Sequence, residues 1–259
     1  MILKNYHTHT PRCHHAVGSE RMYIEAAIAK GFQTLGFSDH VPWPFKDGFV
    51  SKIRMGMEDL DDYFDTLLRL REEYKDRIEI LIGFEAEYFP SMFEELMGVL
   101  RNYPLDYLIL GQHNVRDEAE GFYAGAPTED PQRLIDYVDV TIEGIRTGVF
   151  SYVAHPDLIR FDYRGREELY RQEMGRLCVA AKECGIPLEV NFYGYTTKRN
   201  YPCGEFFRLA SSLGSSFILG CDAHQPWLLA QPEEVSGLEE FLKRNQISYS
   251  QELELRKPV

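Results

Sequence analysis

Cysteine is scarce in this chain, and none of it forms a metal-binding pair. The five residues, Cys13, Cys178, Cys184, Cys203 and Cys221, are odd in number and contain no CxxC spacing. That argues against a disulfide framework and against a cysteine-based zinc site. Cys178 and Cys184 fall in a helical pattern and read as core filler. Long apolar runs are missing as well, and none approaches the roughly 20 residues that span a bilayer. The start, Met1 to Tyr6, turns polar too soon for a secretory signal, which reads as a cytoplasmic protein. No low-complexity tract or linker interrupts the chain, so one domain over residues 1–259 is expected. Neither a G-x-S-x-G elbow nor a phosphate-cradling P-loop is present, so neither a serine nucleophile nor a nucleotide cradle is signalled. Positive charge is in deficit. The chain has 28 Lys and Arg against 41 Asp and Glu, a net charge of -13. Such a field repels nucleic acid, and a phosphorylated metabolite too unless something local reverses its sign.

What recurs is a short apolar strand followed by a helical segment. Strands are predicted at 2–5, 34–38, 79–84, 107–110, 151–154, 188–191 and 216–219. Helices are predicted at 20–30, 59–75, 91–101, 131–147, 167–184, 205–213 and 233–245. This alternation implies a parallel sheet covered by helices. Seven such units suit an α/β fold of the distorted (β/α)7 TIM-like barrel kind, one unit short of eight. An open doubly wound sheet is the competitor. The polar residues favour closure, because each strand runs into a reactive cluster. These are His7-Thr8-His9, Asp39-His40, Glu85-Ala86-Glu87, Gln112-His113, His155-Pro156-Asp157, Asn191 and Asp222-Ala223-His224. A closed barrel brings the ends of all its strands to one mouth. An open sheet gathers only those at its switch point.

The chain has eight histidines, and they mark five of those strand ends. His7 and His9 are two residues apart at a strand end, so both rings project to one side and can chelate one ion. Imidazole with carboxylate suits Zn, Mn or Fe better than Ca. His15 follows in a loop that can fold back over the same mouth. Glu85 and Asp222 add carboxylates, each able to bridge two cations. Glu87 competes with Glu85 for that bridging role. Glu85 is preferred because it lies nearer the strand.

Taken together, these motifs resemble the polymerase and histidinol phosphatase (PHP) superfamily. The run His7-Thr-His9-Thr, with Cys13-His14-His15-Ala, resembles its first motif. Ser38-Asp39-His40, Gly83-Phe84-Glu85-Ala86, Gly111-Gln112-His113, Ala154-His155-Pro156-Asp157 and Gly220-Cys221-Asp222-Ala223-His224 follow in family order. Within that superfamily the chain is most similar to stand-alone histidinol phosphatases. The resemblance implies three divalent metal ions. One would be held by His7, His9, Glu85 and Asp222, and a second by His15, His40 and His224. The third would share Glu85 and add His113 and His155. His14 would be left at the surface or behind the ligands. It further implies a small phosphorylated metabolite as substrate, L-histidinol phosphate, hydrolysed to L-histidinol and phosphate. A nucleotide, a nucleic-acid 3′ end or a sugar phosphate is the alternative.

The chemistry agrees with the donor set. Three dications would carry about six charges, of which Glu85, Asp222 and a bridging hydroxide remove three. The remainder reverses the acidic bulk field at the mouth and draws in a phosphate dianion. A water shared by two cations ionises near neutral pH, so no side-chain nucleophile is needed. Asp39 is a candidate acid for the leaving group, or an orienting partner of a ligand histidine. Arg160, five residues past His155, and Arg199, after the sixth strand, are candidate phosphate contacts by their bidentate fork. Loop 41–58, with Pro42-Trp43-Pro44-Phe45, reads as a water-excluding lid or as ordinary packing. Asp117 and Glu118 are candidates to face a substrate amine. An amidohydrolase would bridge its metals with a lysine at a strand end. No lysine ends strand three, four or five.

Overall fold

The computed structural model describes residues 1–46 and 48–258. Seven parallel strands follow one another around a single sheet. They are β1 (Lys4–Asn5), β2 (Thr34–His40), β3 (Glu79–Ala86), β4 (Tyr107–Leu110), β7 (Phe150–Val153), β8 (Leu188–Asn191) and β9 (Phe217–Gly220). The helices between them are α1 (Glu20–Ala29), α2 (Leu60–Tyr74), α3 (Phe93–Leu100), α4 (Pro131–Arg146), α5 (Glu167–Glu183), α6 (Phe192–Thr196), α7 (Gly204–Leu213) and α8 (Leu238–Arg244). A small antiparallel hairpin, β5 (Asn114–Val115) with β6 (Phe122–Tyr123), projects after β4.

This is the distorted seven-unit TIM-like barrel. The sheet closes without a regular ladder between its first and last strands. His9 N–H donates to Ala223 O at 3.0 Å, and Ala223 N–H donates to His7 O at 3.2 Å. The Asn5 side chain supplements this by accepting from Cys221 N–H at 2.9 Å. The segments that close the barrel are therefore those that carry His7, His9, Asp222 and His224.

Local sequence explains the elements. All of β2 is buried, as a parallel strand covered on both faces must be. Helix α2 buries Leu60, Tyr63, Phe64, Leu67, Leu70 and Tyr74, a stripe at helical spacing. Each such side chain contributes about 1.5–3 kcal/mol when fully buried. Helix α4 starts on Asp130, whose carboxylate accepts from Gln132 N–H at 2.9 Å, with Pro131 in the first turn. Helix α7 stops at Gly214, where φ is 78°.

Inside the barrel, Tyr6, Tyr107, Ile109, Tyr152, Ala154 and Ile218 form a plug beneath the mouth. The C-terminal segment lays Leu253 and Leu255 against it. Ser250 N–H donates to Phe217 O, and Arg256 N–H to Ser151 Oγ.

Several boundaries differ from the sequence reading. Strands β2 and β3 run on through His40 and Ala86, so Asp39, His40 and Glu85 are strand residues. Their pairing with one another fixes them more rigidly than loops would. The helix expected over 233–245 is split. A 3-10 turn covers Pro232–Glu234, Gly237 at φ 80° interrupts the path, and Leu238–Arg244 is α-helical. In the loop after β2, Trp43 and Met55 are buried in the core, which favours packing over a free lid. Asp47 in that loop lies outside the described residues.

Candidate metal centre

Glu85 is the hub of the mouth. Its Oε1 lies 2.7 Å from His155 Nε2 and 3.5 Å from His113 Nε2. Its Oε2 lies 3.0 Å from His40 Nδ1, 3.5 Å from His7 Nε2 and 3.6 Å from His9 Nε2. Asp222 Oδ1 stands 3.1 Å from His9 Nε2 and 3.5 Å from His7 Nε2. His15 and His224 complete the ring, their Nε2 atoms 3.0 Å apart. The structure thus gathers His7, His9, His15, His40, Glu85, His113, His155, Asp222 and His224 in one cluster. His14 stays outside it, exposed, in a left-handed turn at φ 66°.

The donor set fits cations. His7 Nε2, His40 Nδ1 and Glu85 Oε2 are buried and lack hydrogen-bond partners. Buried polar atoms seldom go unpaired. Several groups of three, such as His7, Glu85 and His155, or His9, His40 and His224, converge closely enough to share an ion. His155 and Asp222 also adopt left-handed backbone angles, φ 27° and 50°. Such conformations cost about 1–3 kcal/mol each in non-glycine residues and cluster at functional sites.

Electrostatics in the cluster point the same way. Burial would depress His9, but hydrogen bonds to Asp222 and Asp39 and the charges of Asp222 and Glu85 raise it to about 9. Burial and the charge of His9 push His224 down to about 3. Burial would raise Glu85, yet His113, His7, His155 and His40 hold it well below its ordinary range. Protons and lone pairs are thus shared where cations would sit, and metal uptake would displace those protons.

Three carboxylates stand behind the imidazoles. Asp39 Oδ1 lies 3.2 Å from His9 Nδ1 and accepts from His40 N–H, while its Oδ2 is taken by Thr10. Glu189 Oε1 lies 2.8 Å from His7 Nδ1, and its Oε2 accepts from His155 N–H at 3.0 Å. Glu87 Oε1 lies 3.4 Å from His113 Nδ1. Glu87 is otherwise held by the fully buried Arg54, at 2.8 and 3.1 Å, and by Trp43 Nε1. It therefore sits behind His113, while Glu85 stands among the imidazoles. Space for Glu85 and Glu189 comes from glycine. A Cβ at Gly111 would collide with Glu85 Oε1, and one at Gly220 with Glu189 Oε1.

Glu189 and Arg54 escaped the sequence reading. Glu189 had a signal, a lone acid inside the apolar strand Leu188-Glu189-Val190. Arg54 had none, since an arginine in a loop ordinarily faces water. Because Glu189 fixes the tautomer and orientation of His7, Glu189→Gln is expected to weaken metal binding about 10–100-fold. Titration of the chelated protein with Zn, read by competition with a chromogenic chelator, checks this. Unchanged affinity would sink the role.

The cluster opens into a cavity of about 370 Å³, also lined by Asn114, Glu118, Tyr123, Tyr193, Arg199 and Tyr201. Arg199 stacks over Tyr193, 4.9 Å from the ring centroid, and reaches its hydroxyl at 3.3 Å. Arg160 is exposed and does not enter this cavity. It lines an adjoining recess with Lys198, Arg199 and Asn200. Asp117 accepts from Glu120 N–H in the hairpin turn. Glu118 is paired with Arg54 at 2.8 Å.

A barrel whose strands deliver buried imidazoles and carboxylates to one mouth is the frame of a metal-dependent hydrolase. The PHP domain family matches residues 5–192. The histidinol-phosphatase of Bacillus subtilis is 33% identical over 257 residues, covering 87% of this chain and 94% of that protein. The histidinol-phosphatase of Lactococcus lactis is 29% identical, covering 86% of each. A crystal structure of the Lactococcus lactis histidinol phosphate phosphatase, complexed with Zn, L-histidinol and phosphate, superposes with a TM-score of 0.71. It is 17% identical, covers 97% of this chain and 98% of that one, and establishes the shared fold. The chain belongs to the PHP domain family and groups with its histidinol-phosphatase members. No helix among the described residues is long and apolar enough to cross a membrane.

Proposed function

We propose that the barrel domain of residues 1–259 hydrolyses L-histidinol phosphate to L-histidinol and phosphate, in the cytoplasm, with three divalent cations. The convergence of five imidazoles on the single carboxylate of Glu85 carries this reading. The histidinol-phosphatase relatives support the substrate class. His7, His9, Glu85 and Asp222 would hold one ion, and His15, His40 and His224 a second. Glu85, His113 and His155 would hold the third. Imidazole and carboxylate donors suit Zn, Mn or Fe. When bound, the cations supply an acidified water and neutralise charge on the phosphoryl oxygens.

The chain's own residues do the rest. Asp39, Glu189 and Glu87 set the tautomers of His9, His7 and His113 through the ring nitrogens that face away from the ions. We assign Asp39 to that role rather than to proton donation, because both its oxygens are already engaged. Arg199, at the cavity wall, and Arg160, in the adjoining recess, receive phosphate oxygens. Tyr123, Tyr193 and Tyr201 wall the ester off from bulk water.

The test is metal content together with phosphate release from L-histidinol phosphate and a panel of nucleotide and sugar phosphates. Stoichiometric metal, turnover of histidinol phosphate above the panel, and loss on chelation that added metal reverses are expected. Turnover of the other esters alone would remove the substrate assignment. Full activity in a metal-free protein would remove the mechanism.

A further inference from the structure

Cations at the mouth attract phosphate, but they repel any ammonium on the same molecule. In a partly dehydrated cavity that repulsion is larger than in water. An amine-bearing ester therefore needs a fixed anion on the cavity wall. Among the described cavity-lining residues only Glu118 and Asp222 carry carboxylates. Asp222 belongs to the histidine cluster. Glu118 does not, and it is held at both oxygens. Arg54 Nε donates to its Oε2 at 2.8 Å, and Ser51 Oγ lies 2.7 and 3.0 Å from its two oxygens.

Arg54 does not cancel the charge. Its Nη atoms are committed to Glu87, so one guanidinium faces two carboxylates and one negative charge is left over. Glu87 is buried behind His113, whereas Glu118 fronts the cavity. The surplus is thus offered to the ligand through Glu118. Because the carboxylate is already ordered, binding costs little side-chain entropy.

We infer that Glu118 receives the cationic amine of the substrate and makes the site select ammonium-bearing phosphomonoesters over neutral ones of the same shape. The inference rests on the phosphomonoesterase reading above and specifies its selectivity.

The experiment compares two esters, L-histidinol phosphate and 3-(imidazol-4-yl)propyl phosphate, which lacks only the amine and its carbon's substitution. Wild-type protein, Glu118→Gln and Glu118→Asp are assayed on both. The wild type is expected to favour the amine ester in kcat/KM by about tenfold or more, the scale of one hydrogen bond to a charged group. In Glu118→Gln that ratio collapses toward unity, chiefly through KM, and Glu118→Asp recovers part of it. Equal losses on both esters would mark Glu118 as structural and overturn the inference. A wild type that cleaves both esters equally well would overturn it while leaving the phosphomonoesterase intact. A wild type that cleaves neither would overturn both. Should the variants fail to fold, inhibition of the wild type by L-histidinol and by the amine-free alcohol decides. Tighter inhibition by the amine supports the inference, and equal inhibition overturns it.

Discussion

Replacing Glu85 by glutamine is expected to lower kcat more than about 100-fold, beyond what changes behind the ligands cost. It is also expected to leave the chain short of at least one bound ion. The amide keeps the shape of the side chain and removes its charge. Glutamine presents one oxygen and one N–H pair where two oxygens now face His7, His9, His40, His113 and His155. Whichever way it turns, a donor points at positions that cations would occupy. Cation binding at the centre of the cluster would be weakened directly. Folding should survive, since Glu85 contacts ring nitrogens rather than backbone, and imidazoles shed protons more easily than carboxylates tolerate burial unpaired. Metal analysis, single-turnover kinetics and circular dichroism on the same preparation test this. Wild-type turnover with full metal occupancy would remove Glu85 from the proposed ligand set.

The unevenness of what the sequence reveals follows from where each residue sits. Candidate metal ligands that project from strand ends carry a visible signature. A polar cluster at the end of a short strand, repeated around the barrel, marks His7, His40, Glu85, His155 and Asp222. The helices of the outer layer are legible for the same reason, since a stripe such as that of α2 has one period. Groups behind the ligands are less visible. Glu87 sits two residues from Glu85 with the same chemistry, and only the position of Arg54 separates their roles. Arg54 belongs to a loop whose path no periodicity predicts. Short structures formed under tertiary constraint are also silent in the sequence. Helix α6 begins directly at the end of β8, capped by Asn191 accepting from Gly194 N–H at 2.8 Å. Hairpin β5–β6 holds two residues per strand, too few for a pattern. The ends of β1 and β9 pair only beyond their ladders, so closure of the barrel rests on single bonds at Asn5, His9 and Ala223.

Arg54→Leu should be the most damaging change outside the metal cluster. The guanidinium is fully buried and satisfies Glu87, Glu118 and the carbonyl of Val41. Removing it leaves Glu87, in a site shut off from water, with only Trp43 Nε1 and the more distant His113 Nδ1. Breaking a buried pair in this way costs about 3–5 kcal/mol. In a chain of this size each kcal/mol lowers Tm by about 2–4 °C, so a fall of roughly 6–20 °C is expected. The pH dependence separates lost charge from lost packing. In the wild type burial would raise Glu87, but Arg54 and His113 together hold it well below its ordinary value of 4.5. That depressed group stabilises the fold above 4.5, and the gain is lost as pH falls through the folded value. In Arg54→Leu the carboxylate keeps only Trp43 and His113 against the full effect of burial, so the stabilisation it gives above 4.5 is lost or reversed. The difference in Tm between the two proteins should therefore widen from about pH 3 to about pH 7. Arg54→Leu combined with Glu87→Gln should recover part of the loss at neutral pH, because the two changes remove one interaction. Thermal unfolding of the three proteins across that range decides. A gap that stays constant with pH would assign the loss to packing alone and remove the ion pair from the account of how His113 is held.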